Sequence, residues 1–485
     1  MWRSLSPVLS DSVIMSAGTI LGSGATILIA PLLSRLYEPS TFGMLAVYVS
    51  LLALAAPVSS LRYEMALPIE RDDDAAANLL VVSITLAILT SAVCGGIAIW
   101  YPGLISRFAK DPGLNRYLLL LPVAFLFTAV YQVLSSWAVR TRAFQQIART
   151  RVSQSVGCAG IQLSTGALSG SAWGLFAGDL VGRAAGTGVL FRHLMKTWPA
   201  CSISFKAASL VMRRYVKFPM LTTWASVLTM AGSQLPVLIL SRSFGLEVAG
   251  WYALTSRVLG TPSSLVGQAL GQAFLGHAAH LRHNERELRT LTESIAGWVF
   301  LLGLPVFLFI GVEGKGLFGA VFGAPWAVAG VYAQFLAPMF CLWMVASPLN
   351  NLLTIREWQG TTVAISVLHS AITVASMYVG IRWKSPDAAI AGLGLGLFLM
   401  CAGNLERLFR AGYSNWARVL KRVAPMAVCA ILSVVPVGLA IRNVALWGVA
   451  VRLLVSGLLY LVLIRAGKFY PSAAWNEPQP AGGDQ

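Results

Sequence analysis

Apolar runs of about 20 residues follow one another along almost the whole chain, and a run of that length is what a helix needs to cross the hydrocarbon layer of a membrane. Fourteen runs, bounded by charge or by Pro and Gly, begin near Val13, Phe42, Ala76, Tyr117, Val152, Gly170, Pro219, Ala249, Ser294, Gly330, Gly360, Ala388, Val423 and Leu446. Within lipid every backbone N–H and C=O must be satisfied internally, which a helix does by itself. The pattern therefore predicts an all-α polytopic membrane protein of about 14 transmembrane helices. Twelve is the fallback, because Arg442 and Arg452 intrude on the last two runs. With 485 residues, 56% of them hydrophobic and only 11% charged, no sizeable soluble domain fits beside the spans. The first run follows Asp11 without a convincing cleavage site and reads as a retained span rather than a signal peptide.

Thirty-six Lys and Arg against 19 Asp and Glu give a net charge of +17, which in a soluble protein would suggest nucleic acid. Here topology explains it. With the N-terminus inside, 24 basic residues fall on the cytoplasmic side and 9 on the outer side, while Arg183, Arg257 and Arg452 lie within spans. Loops rich in Lys and Arg stay in the cytoplasm, so both termini are expected there and no nucleic-acid partner is needed. No cofactor or metal is expected either. The six cysteines are scattered without metal spacing. His277, His280 and His283 near Glu287 drift around a helix in three-residue steps, unlike the His-x-x-x-His of zinc sites. Asp72, Asp73 and Asp74, following Arg71, read as an acidic helix start favoured by the dipole.

The chain also repeats itself. Phe42-Gly43 leads to Pro57-Val58-Ser59-Ser60-Leu61, and Ala249-Gly250 leads to Pro262-Ser263-Ser264-Leu265. Pro122 precedes Arg142-Ala143-Phe144-Gln145, and Pro338 precedes Arg356-Glu357-Trp358-Gln359. The common offset of 205 to 216 residues and the common order fit two pseudo-symmetric six-helix bundles, 1–191 and 219–410. A cytoplasmic linker with six basic residues, 192–218, joins them, and 411–485 supplies two C-terminal helices and a cytoplasmic tail. Parallel repeats of this kind are a transporter architecture with its site between the halves.

The segment Pro31–Gly43 (Pro-Leu-Leu-Ser-Arg-Leu-Tyr-Glu-Pro-Ser-Thr-Phe-Gly) carries a resemblance. So do Leu61-Arg62-Tyr63-Glu64-Met65-Ala66, Gly174-Leu175-Phe176-Ala177-Gly178, Phe218-Pro219 and Phe322-Gly323-Ala324-Pro325-Trp326, the last followed by Ala329-Gly330. The chain resembles the bacterial oligosaccharide flippases, the Wzx-type polysaccharide transporters grouped with lipid II flippases and multidrug antiporters. The landmarks run from about residue 13 to about 410. The resemblance implies two six-helix bundles in the bacterial inner membrane, moving an undecaprenyl-pyrophosphate-linked oligosaccharide to the periplasmic leaflet by alternating access. It implies a proton or sodium ion as coupling partner, membrane lipids as surroundings, and the polysaccharide polymerase and chain-length regulator as pathway partners.

Few polar residues within the spans are candidates for this work. Gly174, Gly178, Gly182 and Gly186 bare one helix face for close packing. Asp179 and Arg183 are four apart and face each other along the same helix. They form either a self-neutralising pair or contacts to substrate and proton. A central Arg costs about 2.5 to 3.5 kcal/mol on insertion scales and an i,i+4 pair returns only about 0.2 to 0.5 kcal/mol, so a wet cavity or a partner is expected. Arg257, with no acid within one turn in sequence, is the first candidate to hold an anion; a carboxylate on another helix is the alternative. Gln268 and Gln272 extend a polar stripe suited to sugar hydroxyls or to helix-to-helix hydrogen bonds. Asp179 is the one carboxylate read as deep within the first twelve spans and the expected ion-coupling residue, and His369 is the imidazole within the membrane.

A non-enzymatic flippase is the leading reading. A polysaccharide polymerase or ligase is the enzymatic alternative, disfavoured by outer loops of at most about 16 to 19 residues. A small-molecule antiporter of the same fold is the third, since fold does not determine substrate.

Overall fold

The computed structural model describes residues 18, 22, 24–101, 112–198, 203–282, 284–356, 358–440 and 446–467. Among these the regular elements are all helical. Helices α1 (Gly24–Leu36), α2 (Pro39–Ala55), α3 (Asp73–Trp100), α4 (Leu121–Arg140), α5 (Phe144–Ser169) and α6 (Trp173–Thr197) come first. The short α7 (Phe205–Arg214) follows, then α8 (Thr223–Phe244), α9 (Leu246–His280), α10 (Glu285–Phe322) and α11 (Ala327–Leu349). Helices α12 (Gln359–Arg382), α13 (Pro386–Ala411), α14 (Trp416–Ala440) and α15 (Leu446–Gly467) complete the chain. From the second onward each apolar run falls on one helix; the first begins outside the described residues, and its later part falls on α1. Among the described residues ten segments are long and apolar enough to cross a membrane, which is compatible with fourteen spans. Of the full-length helices, α5, α6 and α9 fall short of that hydrophobicity, and these three carry the charged residues of the candidate site.

Contacts group the chain into two units: Met1–Val258 with Ser366–Gly392, and Leu259–Ile365 with Leu393–Gln485. Contact grouping and internal symmetry are different properties, and the two six-helix halves remain a proposal.

In the first unit, α5 and α6 form a hairpin that turns at Gly170, whose φ of 60° is the left-handed conformation a C-terminal glycine adopts without strain. The glycine stripe of α6 lies on α5. A Cβ at Gly178 would stand 2.5 Å from Gln162 Cγ and 2.8 Å from the Cys158 carbonyl oxygen; one at Gly182 would stand 2.9 Å from the Gln154 carbonyl oxygen. Small residues let the two backbones approach as larger ones would not. Gly43 and Gly250, matched positions of the sequence repeat, form a second close approach. A Cβ on either would collide with the carbonyl oxygen of Leu246 or of Pro39, respectively.

The acidic start of α3 and the basic ends of α4, α5 and α6 enclose a core of Leu67, Leu80, Leu134, Trp137, Leu190 and Val211. Helix α7 is tied to this end through Glu70, which accepts from Arg214 Nη1 at 3.0 Å and from the Tyr215 hydroxyl at 2.8 Å. Burial works against the Glu70 carboxylate, but those bonds, the backbone N–H groups of Asp72 and Arg71 and the charge of Arg214 outweigh it and hold its pKa below the ordinary value. Asp72 caps α3, accepting from Ala75 N–H at 3.1 Å, and Asp73 pairs with Arg140 at 2.6 Å.

The second unit is built on the α10–α11 hairpin, with α14 and α15 packed on α10 through Leu301, Met426, Ala430, Tyr460 and Ile464. Within α10 lies Glu313, so Asp179 is not the only embedded carboxylate; the buried Arg452 of α15 donates to Glu313 Oε2 at 2.5 Å. The arginine that interrupts the last apolar run thus docks the C-terminal helix. Removing one member of a buried pair leaves an uncompensated charge and costs about 3 to 5 kcal/mol, whereas replacing both with apolar groups is often neutral. Arg452→Leu is therefore expected to lower the melting temperature of the purified protein, and the Glu313→Leu/Arg452→Leu double variant to recover most of the loss. An additive double variant would refute the docking role.

Candidate functional site

The charged residues of the site stand on the helices that are too polar for lipid on all sides. On α5, Arg151, Gln154, Ser155 and Cys158 recur at helical spacing and share one face. On α6, Asp179 and Arg183 flank the glycine stripe that fixes this helix against α5. Thr128, Tyr131 and Gln132 of α4 and Thr26 of α1 complete the polar wall around a cavity of about 450 Å³.

Arg183 makes two bonds to one carboxylate, from Nε to Asp179 Oδ2 at 2.7 Å and from Nη2 to Oδ1 at 3.0 Å, and its Nη1 donates to Thr128 Oγ1 at 2.8 Å. The pair and the cavity, alternatives on sequence grounds, occur together. Arg257, exposed on α9, belongs to the same place: the charge of the cavity-lining Asp179 acts on it. Asp179 thus pairs with Arg183 and lies within electrostatic reach of Arg257. Arg151 lies 6.0 Å from the centre of the Tyr131 ring, a cation–π distance. Three guanidiniums and one carboxylate leave this region with a net charge of +2. Gln132 Oε1 is buried without a partner among the described residues and is open to a ligand hydroxyl.

Gln268 and Gln272 lie in the second unit, exposed on the same face of α9 as Ser264. His369 of α12 packs on α8, where a Cβ at Gly232 would approach its ring to 3.2 Å. His277 Nδ1 bonds the Ala273 carbonyl oxygen at 2.9 Å; His283 lies outside the described residues.

Sequence reasoning missed Arg151, Gln154 and Gln132. Arg151 stands just before the fifth apolar run and was counted as a loop charge, but α5 begins seven residues earlier, at Phe144. The signal was present as polar residues at 151, 154, 155, 158 and 162, one helical face of a membrane span. The arrangement can hold a doubly charged oxyanion in planar guanidinium forks and offers amides, hydroxyls and an aromatic ring to sugars.

Comparison with known proteins agrees. A family model described as polysaccharide biosynthesis protein matches residues 32–330, well over half of the chain. The lipopolysaccharide biosynthesis protein WzxC of Escherichia coli (strain K12) is 22% identical over 386 residues, covering 79% of this chain and 76% of WzxC. The lipid II flippase MurJ, in an inward closed conformation, superposes with a TM-score of 0.75 at 11% identity, covering 95% of this chain and 99% of MurJ. An inward-facing multidrug resistance transporter of the MATE family gives a TM-score of 0.64 at 12% identity, covering 84% and 98%. The polar helices, the cationic cavity and the matched sequence thus converge, and the chain belongs to the polysaccharide biosynthesis protein family, with the Wzx-type polysaccharide transporters, on the fold that MurJ and the MATE transporters share.

Proposed function

We propose that this protein is a flippase that moves undecaprenyl-pyrophosphate-linked oligosaccharide repeat units from the cytoplasmic to the periplasmic leaflet of the bacterial inner membrane by alternating access. The net positive cavity lined by Arg151 and Arg183, with Arg257 beside it, carries this reading. A pyrophosphate with its sugars cannot cross hydrocarbon unaided. In the cavity, guanidiniums replace water around the phosphate oxygens, while Gln132, Gln154 and Tyr131 receive the sugar; the prenyl tail stays in lipid. Both termini are cytoplasmic on this reading, and the polymerase receives the flipped unit. Cells lacking the protein are expected to accumulate lipid-linked oligosaccharide on the cytoplasmic leaflet. Undiminished translocation, with unpolymerised glycan outside, would instead identify a polymerase.

Transport is proposed to be ion-coupled, with Asp179 as the acidic participant. One proton moving inward gains about 2.3 kcal/mol per 100 mV, a bias of roughly fifty-fold. Asp179 is released to take part in coupling when Arg183 turns from it to the substrate. In proteoliposomes Asp179→Asn should still bind substrate but lose the response to an imposed pH gradient. A response equal to that of the unaltered protein would make Asp179 structural.

A further inference from the structure

A second cavity, of about 370 Å³, opens on the α5–α6 hairpin at the end remote from Gly170. Its lining includes Gln146, Arg149 and Ser153 on α5 and Arg192, His193 and Lys196 on α6. At about 100° per residue, the α5 positions point roughly 150° away from Arg151, Gln154 and Cys158. This cavity is therefore separate from the candidate transport site, on the opposite flank of the same helix.

Its charge is one-sided. Arg149, Arg192 and Lys196 carry three positive charges, and no lining residue is acidic. The only acid between Phe144 and Thr197 is Asp179, thirteen residues before Arg192 and so about 20 Å away along α6. Elsewhere cations have carboxylate partners, as in Arg140 with Asp73, Arg214 with Glu70 and Arg410 with Glu406. None of these three makes an ion pair among the described residues. Three like charges around one hollow repel each other, and an anion between them removes that cost. His193 adds a polar edge rather than a fourth charge, because burial and the neighbouring Lys196 hold its imidazole below the ordinary range. Its Nε2 is held by Thr141 Oγ1 at 2.9 Å.

Exposed apolar side chains stand beside the cations and deeper in the helices. Val152 and Val156 continue α5 beyond Arg149, and Phe191 and Met195 border Arg192 and Lys196 on α6; Val156 is 63% and Phe191 51% exposed. Cations at the helix ends with apolar surface toward the span is the order of a phospholipid, headgroup first and chains below.

We infer that this α5–α6 pocket binds the headgroup phosphates of an anionic membrane phospholipid, as a site separate from the transported substrate. The charge of +3 favours a headgroup with two phosphodiesters over a zwitterionic one. The test uses the full purified chain in phosphatidylcholine nanodiscs, with diphosphatidylglycerol titrated in and retained lipid counted by native mass spectrometry. Each cation near a membrane surface is worth roughly fivefold in affinity, so the R149Q/R192Q/K196Q variant should bind diphosphatidylglycerol on the order of a hundredfold more weakly. The charge-preserving R149K/R192K/K196R variant should bind like the unaltered protein. Should the triple neutral variant not fold, single Arg149→Gln and Lys196→Gln variants should each show about a fivefold loss. Unchanged affinity in the neutral variants overturns the proposal. So does displacement of the lipid by inorganic pyrophosphate or by undecaprenyl pyrophosphate at equal concentration, which would assign the pocket to free phosphate or to the transported substrate.

Discussion

Alanine in place of Arg257 or of Arg183 is expected to abolish surface polysaccharide in cells whose membranes still hold the protein at its normal level. Hydrogen bonds to charged groups contribute about 1.5 to 3 kcal/mol each, so losing one guanidinium should weaken the hold on the proposed pyrophosphate substrate roughly ten- to hundredfold. The two variants act differently. Arg257→Ala removes a cation within electrostatic reach of Asp179 and leaves the Arg183–Asp179–Thr128 arrangement intact. Arg183→Ala also frees Asp179 inside the cavity proposed to hold an anion, so it should be the more severe. Arg257→Lys keeps charge but loses the planar fork and should be milder. Arg151→Ala, at the same cavity, should reduce display as well. Immunoblots of membranes alongside glycan staining check all four. Full display by both alanine variants at position 257 and position 183 would remove them from the substrate path, and a fall in protein abundance would assign them to folding.

Loss of the protein itself, rather than of its activity, is expected from Gly178→Leu and Gly182→Leu. The obstacle at both positions is backbone: the Cys158 carbonyl oxygen 2.8 Å from a Cβ at Gly178, and the Gln154 carbonyl oxygen 2.9 Å from one at Gly182. A side chain could rotate away, but a carbonyl within a helix cannot, so α5 and α6 must separate. Overpacking a tight contact costs about 1 to 3 kcal/mol or more, and here it also opens the wall that carries Arg151 and Arg183. Gly188, on the same helix, has nothing within 4 Å of a built Cβ. Gly188→Ala should be neutral or slightly stabilising, since alanine is favoured over glycine in a helix by about 1 kcal/mol. Normal levels of a leucine variant in membranes, measured with the Gly188→Ala control, would show that the helices do not pack through this stripe.

Among the candidate residues, the local patterns were legible and their meetings were not. The four-residue glycine spacing on α6 and the Asp179–Arg183 pair are properties of one helix, and the pair forms as spacing requires. The acid near Arg257 could not be found by inspecting its own helix, because Asp179 stands 78 positions earlier in the chain and reaches it only through tertiary packing. Arg452 has the same history, with Glu313 139 positions away.

By itself the sequence determined that this protein is a bundle of membrane helices, because lipid leaves the backbone no other way to satisfy its polar groups, and each span is marked by its own 20 or so residues. It determined which helix faces were too polar or too small to meet lipid. The tertiary structure alone decided which of those faces look at one another: that Arg151 belongs to the cavity wall and not to a loop, that Arg257 comes within electrostatic reach of Asp179, and that Arg149, Arg192 and Lys196 surround a separate hollow. The physical reason is range. Hydrophobicity and helical period act within a segment, whereas the charge and packing that make a site act across segments brought together from distant parts of the chain.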